Sequence, residues 1–173
     1  MATTPIPEPL EPGTGRRPAP GPDRMTRFAQ LLAQHSITAL RISLGLVIAG
    51  FGALKFVPGA SPAEALVMQT TEALSFGVVS GTTAVVITAV LETLLGLILL
   101  TGRGLRLGLV VMAGWLLAIM APIVLFPEEL FPGGFPTLAA QYVLKDLILA
   151  SAWAVVAAQV LGARLIPAGR TAP

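Results

Sequence analysis

Acidic and basic side chains stand inside long apolar stretches of this sequence, where each must be paired or solvated. They are Lys55 at the end of the first stretch, Glu92 within the second, and the neighbours Lys145 and Asp146 in the last. Carboxylates and ammonium groups in such a setting can hold a polar head group, move a proton or pair with each other. These residue types therefore predict either a binding site or a set of structural ion pairs.

Position along the apolar stretches predicts the depth of each charge. At about 1.5 Å of rise per residue from the outer surface, Lys55 lies about 3–5 Å deep and Glu92 about 15 Å deep. The same count places Lys145 and Asp146 about 10 Å deep. A lysine side chain spans about 6 Å, so Lys145 could reach inward to Glu92. Lys55 could reach Asp146 in the same way.

Further polar side chains share helix faces with these charges. Residues four apart lie on one face, so Gln141 accompanies Lys145, and Tyr142 accompanies Asp146. The predicted buried polar cluster consists of Lys55, Glu92, Gln141, Lys145 and Asp146. One interpretation is a set of ion pairs that fixes helix register. The other is a site for a quinone head group, a proton path or a small substrate. Both remain open at this point.

Composition indicates a membrane protein. The chain has 173 residues, of which 54% are hydrophobic and 12% charged, whereas soluble domains have about 25% charged residues. Cysteine is absent and there is one histidine, which excludes disulfides, thiolate metal sites and a bis-histidine haem within one chain. The net charge of +2 comes from dispersed bases, so we expect no nucleic-acid partner.

The sequence contains no catalytic motif that is typical of an ordinary enzyme. The sequence contains no Walker loop, no HExxH and no serine-histidine-aspartate set, which excludes ordinary hydrolases and nucleotide enzymes. We therefore assign no catalytic residue, no metal ligand and no resident cofactor, with a quinone as the one candidate ligand. Whether the chain is an enzyme stays open.

Four apolar segments predict an all-α integral membrane four-helix bundle, because each is near the roughly 20 residues that span a bilayer. The predicted spans are 37–57, 81–101, 105–126 and 139–163. Proline and glycine dominate residues 1–23, which we expect to form a disordered cytoplasmic tail. Residues 24–36 are amphipathic, and predict either a helix in the membrane interface or an extension of the first span. Residues 164–173 form a second tail.

Charge distribution predicts the orientation. The arginines stand in the N-terminal region up to Arg41, in the second loop and near the C-terminus, whereas the first and third loops carry only acids. By the positive-inside rule both termini are cytoplasmic, and Arg41 is a charge on the inner side. In the first loop, Ser61-Pro62-Ala63-Glu64 predicts a capping box that begins a short outer helix from Pro62 to about Leu74.

Three segments resemble one family. RISLGLVIAGFGALKF (Arg41–Phe56), LETLLGLILLTGR (Leu91–Arg103) and QYVLKDLILASAW (Gln141–Trp153) resemble, in this order and spacing, the first, second and fourth helices of the DoxX-like membrane proteins in their YkgB/RclC-like branch. The resemblance implies a small four-helix bundle of the bacterial inner (plasma) membrane. It also implies a link to quinone reduction or to oxidative stress, since relatives serve there as small membrane subunits.

The resemblance also covers the polar positions. Arg41, Lys55, Glu92, Lys145 and Asp146 match polar positions of the family, and no catalytic role comes with them. We therefore expect an accessory or anchor subunit of a quinone-linked redox or stress-protection system, with a redox partner subunit. The alternative is a stand-alone small transporter or channel that acts as a homo-oligomer.

Overall fold

The computed structural model describes residues 23–163, and these fold entirely into helices, turns and loops without a β-strand. The helices are α1 (Arg24–Leu54), α2 (Glu64–Leu74), α3 (Gly81–Thr101), α4 (Leu105–Met120), α5 (Pro122–Leu125), α6 (Pro127–Leu130), a 3-10 turn (Pro132–Gly134) and α7 (Leu138–Val160). The predicted all-α membrane helical bundle is confirmed. The predicted tails, 1–23 and 164–173, lie outside the described residues, except for Asp23.

Four helical stretches are long and apolar enough to cross a bilayer: Arg24–Leu54, Gly81–Thr101, Leu105–Leu125 and Leu138–Val160. Their outward faces carry large apolar side chains, such as Val110 and Leu117 on α4 and Ile148 on α7, each at least 70% exposed. Such faces are stable against hydrocarbon and not against water. The chain is therefore a multi-pass membrane protein in contact with lipid.

Helix α1 is continuous over 31 residues. Asp23 caps it, because its carboxylate accepts a hydrogen bond of 2.7 Å from the backbone N–H of Thr26. This bond lowers the pKa of Asp23 below its ordinary value. Residues 24–36 belong to the same helix as the first span. This segment is therefore continuous with the first span, and its position relative to the membrane interface stays a prediction.

Small residues bring α1 and α3 together along an antiparallel contact. Gly45 lies against Gly96 of α3, and Gly96 in turn lies against Ala49. Closer to the end of α1, Gly52 lies against Thr93. These contacts fix the register, so that the C-terminal end of α1 stands beside the middle of α3 and not beside its N-terminal end.

Helix α2 starts later than predicted and without the capping box. It begins at Glu64, its N-cap residue Ala63 provides no side-chain hydrogen bond, and the Glu64 carboxylate accepts from the backbone N–H of Gly59 at 2.8 Å. Ser61, the expected cap, is buried instead. Helix α2 packs on α3 and α4, at the end of the bundle that we call the α2 end.

The last two spans are joined by short helices. The third span breaks at Ala121, immediately before Pro122, because proline cannot donate the helical hydrogen bond at that point. Thr137 then caps α7, and its hydroxyl accepts from the N–H of Ala140 at 3.2 Å. Trp153 ties α7 to α4 by donating its indole N–H to the Leu109 carbonyl at 2.9 Å.

Candidate ligand-binding cavity

A cavity of about 500 Å³ lies at the α2 end of the bundle. Residues of α1, α2, α3, α4 and α7 line it, and most of the lining is apolar, with Phe51, Leu66, Ile87 and Ile119 among the contributing residues. Small-molecule sites are typically apolar concavities of this size with a few placed polar groups. The polar groups of this cavity therefore decide what it can hold.

Lys55 and Glu92 form a buried ion pair in the wall of the cavity. The Lys55 Nζ lies 2.6 Å from Glu92 Oε2, and the two residues are only 7% and 3% exposed. The pair exists because the α1–α3 contacts place the end of α1 beside Glu92. The Lys55 ammonium group therefore reaches a carboxylate in the middle of α3.

The two pairings predicted from depth are wrong. Lys55 pairs with Glu92 and not with Asp146, and Lys145 does not reach Glu92. Asp146 lines the same cavity and is partly buried. Within residues 23–163 its carboxylate forms no ion pair. The cavity therefore contains one neutralised pair and one further carboxyl group.

Gln141 and Lys145 lie outside the cavity. Both are exposed on the outward face of α7, and the Lys145 Nζ stands 4.5 Å from the centroid of the Tyr142 ring. Successive residues of a helix are about 100° apart, so Asp146 faces inward while Lys145 faces outward. Of the predicted cluster, the structure thus brings together Lys55, Glu92 and Asp146 and leaves two members on the surface.

Two cavity residues carry buried polar atoms without a hydrogen-bond partner, and the sequence interpretation did not include them. They are the Thr70 hydroxyl and the Trp115 indole N–H; Trp115 stands beside the Glu92 carboxylate. Buried polar groups are normally satisfied, so the unpartnered hydroxyl of a residue that lines the cavity is a candidate contact for a ligand. On α2, the cavity is lined by the apolar residues Leu66, Val67 and Leu74 together with Thr70 and its neighbour Thr71.

Thr93 provides a contrast. Its hydroxyl is also buried without a partner, but it lies against Gly52 in the α1–α3 contact and does not line the cavity. Nothing but the neighbouring helix can reach it there. Of the three unpartnered groups, only those of Thr70 and Trp115 are in the cavity wall.

The opposite end of the bundle contains the apolar core. Beyond the cavity, α1, α3, α4 and α7 share an apolar core that includes Leu44, Leu99, Met112 and Val156. Arg41 lies at this end, where its Nη1 donates to the Leu99 carbonyl at 2.8 Å. Arg41 does not line the cavity, so its contact there is structural.

The side chains of the cavity wall are able to form hydrogen bonds to a small, mainly apolar molecule. An ammonium group and a hydroxyl can donate, and carboxyl oxygens can accept. Within residues 23–163 no group of three acidic or histidine side chains could hold a metal ion. The fold and the cavity together define a multi-pass helical membrane protein with a ligand-sized cavity at one end. No protein-family model, curated protein or solved structure matches the chain.

Proposed function

We propose that the cavity binds the head group of a lipid-soluble quinone, and that the protein is an accessory or anchor subunit of a quinone-linked redox or oxidative-stress-protection system. The observation that carries this proposal is the unpartnered, buried Thr70 hydroxyl in an apolar cavity that also holds the Lys55–Glu92 pair. A quinone ring is apolar and its carbonyl oxygens accept hydrogen bonds. It therefore complements donors placed in an apolar wall.

An accessory role fits the content of the chain. Without cysteine and with one histidine, the chain supplies no thiolate or bis-histidine ligand set for an electron carrier. A quinone bound here would therefore exchange electrons with a partner subunit. The sequence resemblance supports a DoxX-like protein of the bacterial plasma membrane, and the arginine distribution supports cytoplasmic termini with the α2 end outside.

Replacing Thr70 with valine tests the proposal directly. We expect Thr70→Val to weaken binding of a short-chain benzoquinone about five- to tenfold, the effect of one lost hydrogen bond. Binding is read from quenching of Trp115 fluorescence in a Trp153→Phe background, which leaves one tryptophan. The matched control is Thr93→Val, which removes an equally buried hydroxyl outside the cavity and should leave the affinity unchanged.

Two outcomes would contradict the site. Absence of saturable quenching in the parent protein would exclude a quinone from this cavity. Equal weakening by Thr70→Val and Thr93→Val would show that both changes act through the fold and not through contact with the ligand.

A stand-alone transporter or channel that acts as a homo-oligomer is the second candidate. Gln141 and Lys145 favour it, because polar side chains on a lipid-facing surface are costly and a second copy could cover them. The apolar core around Leu44, Leu99 and Met112 disfavours it, because a route through one chain would have to cross that core. Any pore would therefore lie between copies.

Mass spectrometry of the protein gently extracted from its native membrane separates the two candidates. We expect a stoichiometric redox subunit and bound quinone to accompany the chain, because the chain alone provides no electron carrier. A homo-oligomer that carries neither would contradict the accessory role and favour the transporter. Quinone affinities of the parent, Thr70→Val and Thr93→Val proteins, each extracted in the same way, show whether the cavity is still intact.

A further inference from the structure

A second, smaller cavity adjoins the first. Its volume is about 270 Å³, and it shares four lining residues with the main cavity: Pro62, Ala63, Leu66 and Tyr142. Leu138 and Ala139, at the start of α7, complete its wall. Apart from the Tyr142 hydroxyl, every side chain of this wall is apolar. The side chains of the smaller cavity can therefore make van der Waals contacts with a ligand, and only Tyr142 can form a hydrogen bond.

Tyr142 stands where the two cavities meet. It lines both of them, and the Lys145 ammonium group lies over its ring at 4.5 Å, a favourable cation–π distance. Lys145 itself is exposed on the outward face of α7. The smaller cavity therefore lies between the main cavity and the surface where residues 62–66 face the first turn of α7.

We propose that the smaller cavity holds the hydrocarbon tail of the molecule whose head group occupies the main cavity. The ligand is then a single-chain amphipathic molecule, with its tail leaving the protein between α2 and α7. This inference rests on the proposed function. Three observations support it: the shared walls, the change from a partly polar to an apolar lining, and the position of Tyr142 at the junction.

Filling the smaller cavity tests the tail site. Ala139 lines only this cavity, so Ala139→Phe should obstruct a tail and spare a head group. The probes are 2,3-dimethoxy-5-methyl-benzoquinone and its decyl derivative, with affinities expressed per mole fraction in the detergent phase. We expect Ala139→Phe to weaken binding of the decyl probe about tenfold or more and to change binding of the tail-free probe less than about twofold.

The control is Leu144→Phe, which adds an aromatic ring on α7 at an exposed position that lines neither cavity. It should leave both affinities at the parent value. Neither substitution adds a tryptophan. Quenching of Trp115 fluorescence in the Trp153→Phe background therefore measures the affinity of both probes for the parent, Ala139→Phe and Leu144→Phe.

The outcomes separate the tail site from the head-group site. If the parent binds both probes and Ala139→Phe weakens neither, or weakens both equally, the tail site is overturned while quinone binding stands. If the parent binds neither probe, both proposals are overturned.

A measurement on the parent chain avoids any effect of substitution on folding. A decyl quinone with a photoreactive group at the end of its tail should cross-link to residues 62–66 or 138–142. Cross-linking concentrated in α3, away from these segments, would overturn the assignment.

Discussion

Replacing either member of the Lys55–Glu92 pair is expected to destabilise the protein by about 3–5 kcal/mol, because the remaining charge is left buried without its partner. The variants are Lys55→Met and Glu92→Met. The double variant should lie much closer to the parent, since a buried ion pair is often replaced by apolar side chains without loss. The free energy of unfolding in detergent, measured for all four proteins, gives the coupling between the two residues.

Lys145→Met is the matched control for these variants. Lys145 is exposed, so the same substitution should cost less than about 1 kcal/mol there. Single replacements at Lys55 and Glu92 that cost no more than this would contradict the buried pair.

The double variant also decides between the two interpretations of the charged residues. If the double variant folds and a quinone no longer quenches its Trp115 fluorescence, the Lys55–Glu92 pair takes part in the site. If it folds and binds as the parent does, the pair serves only to fix helix register.

A methyl group at Gly52 is expected to destabilise the bundle by about 1–3 kcal/mol, the usual cost of overpacking. A Cβ built there would lie 2.7 Å from the Thr93 backbone nitrogen and 2.9 Å from the Glu92 Cβ. The nitrogen belongs to a helical backbone and cannot move aside alone. Gly52→Ala should therefore push α1 from α3, stretch the Lys55–Glu92 pair and weaken quinone binding as well.

Gly50→Ala provides the control, two residues away on the same helix. A Cβ at Gly50 has no atom within 4 Å, so this change should stabilise the protein by about 0.5–1 kcal/mol through helix propensity alone. Relative to the parent, the free energy of unfolding should thus fall in Gly52→Ala and rise in Gly50→Ala. Equal effects would show that the Gly52 contact does not control helix spacing.

Apolar length was sufficient to predict the helices that cross the membrane. The span predicted at 81–101 coincides with α3, and the third predicted span is interrupted directly before Pro122. These features are local, since they depend on a run of apolar residues or on the missing N–H of one proline. The cap of α1 by Asp23 is local in the same sense.

The partners of the charges could not be predicted from depth. Depth was counted along each helix separately, whereas pairing depends on how far one helix is shifted along another. Gly52 and Gly96 set that shift for α1 and α3. The resulting register places Lys55 beside Glu92. The glycines are visible in the sequence, but the residues that they contact on the neighbouring helix are not.

Thr70 was missed for a different reason. The sequence places Thr70 beside Thr71 on α2, and it does not indicate whether either hydroxyl faces water, a neighbour or a cavity. The packing of α2 on α3 buries the Thr70 hydroxyl without a partner, and that burial is what makes it a candidate contact.

Because α1 ends beside the middle of α3, the wall of the cavity beyond that point includes α2, a helix of 11 residues. A short helix between two loops can open locally at a lower free energy than a long packed one. If the cavity binds a ligand as proposed, we therefore expect the half of the bundle held by the α1–α3 contact to stay packed while α2 opens. A ligand could enter and leave by displacing α2, while the long helices keep their places.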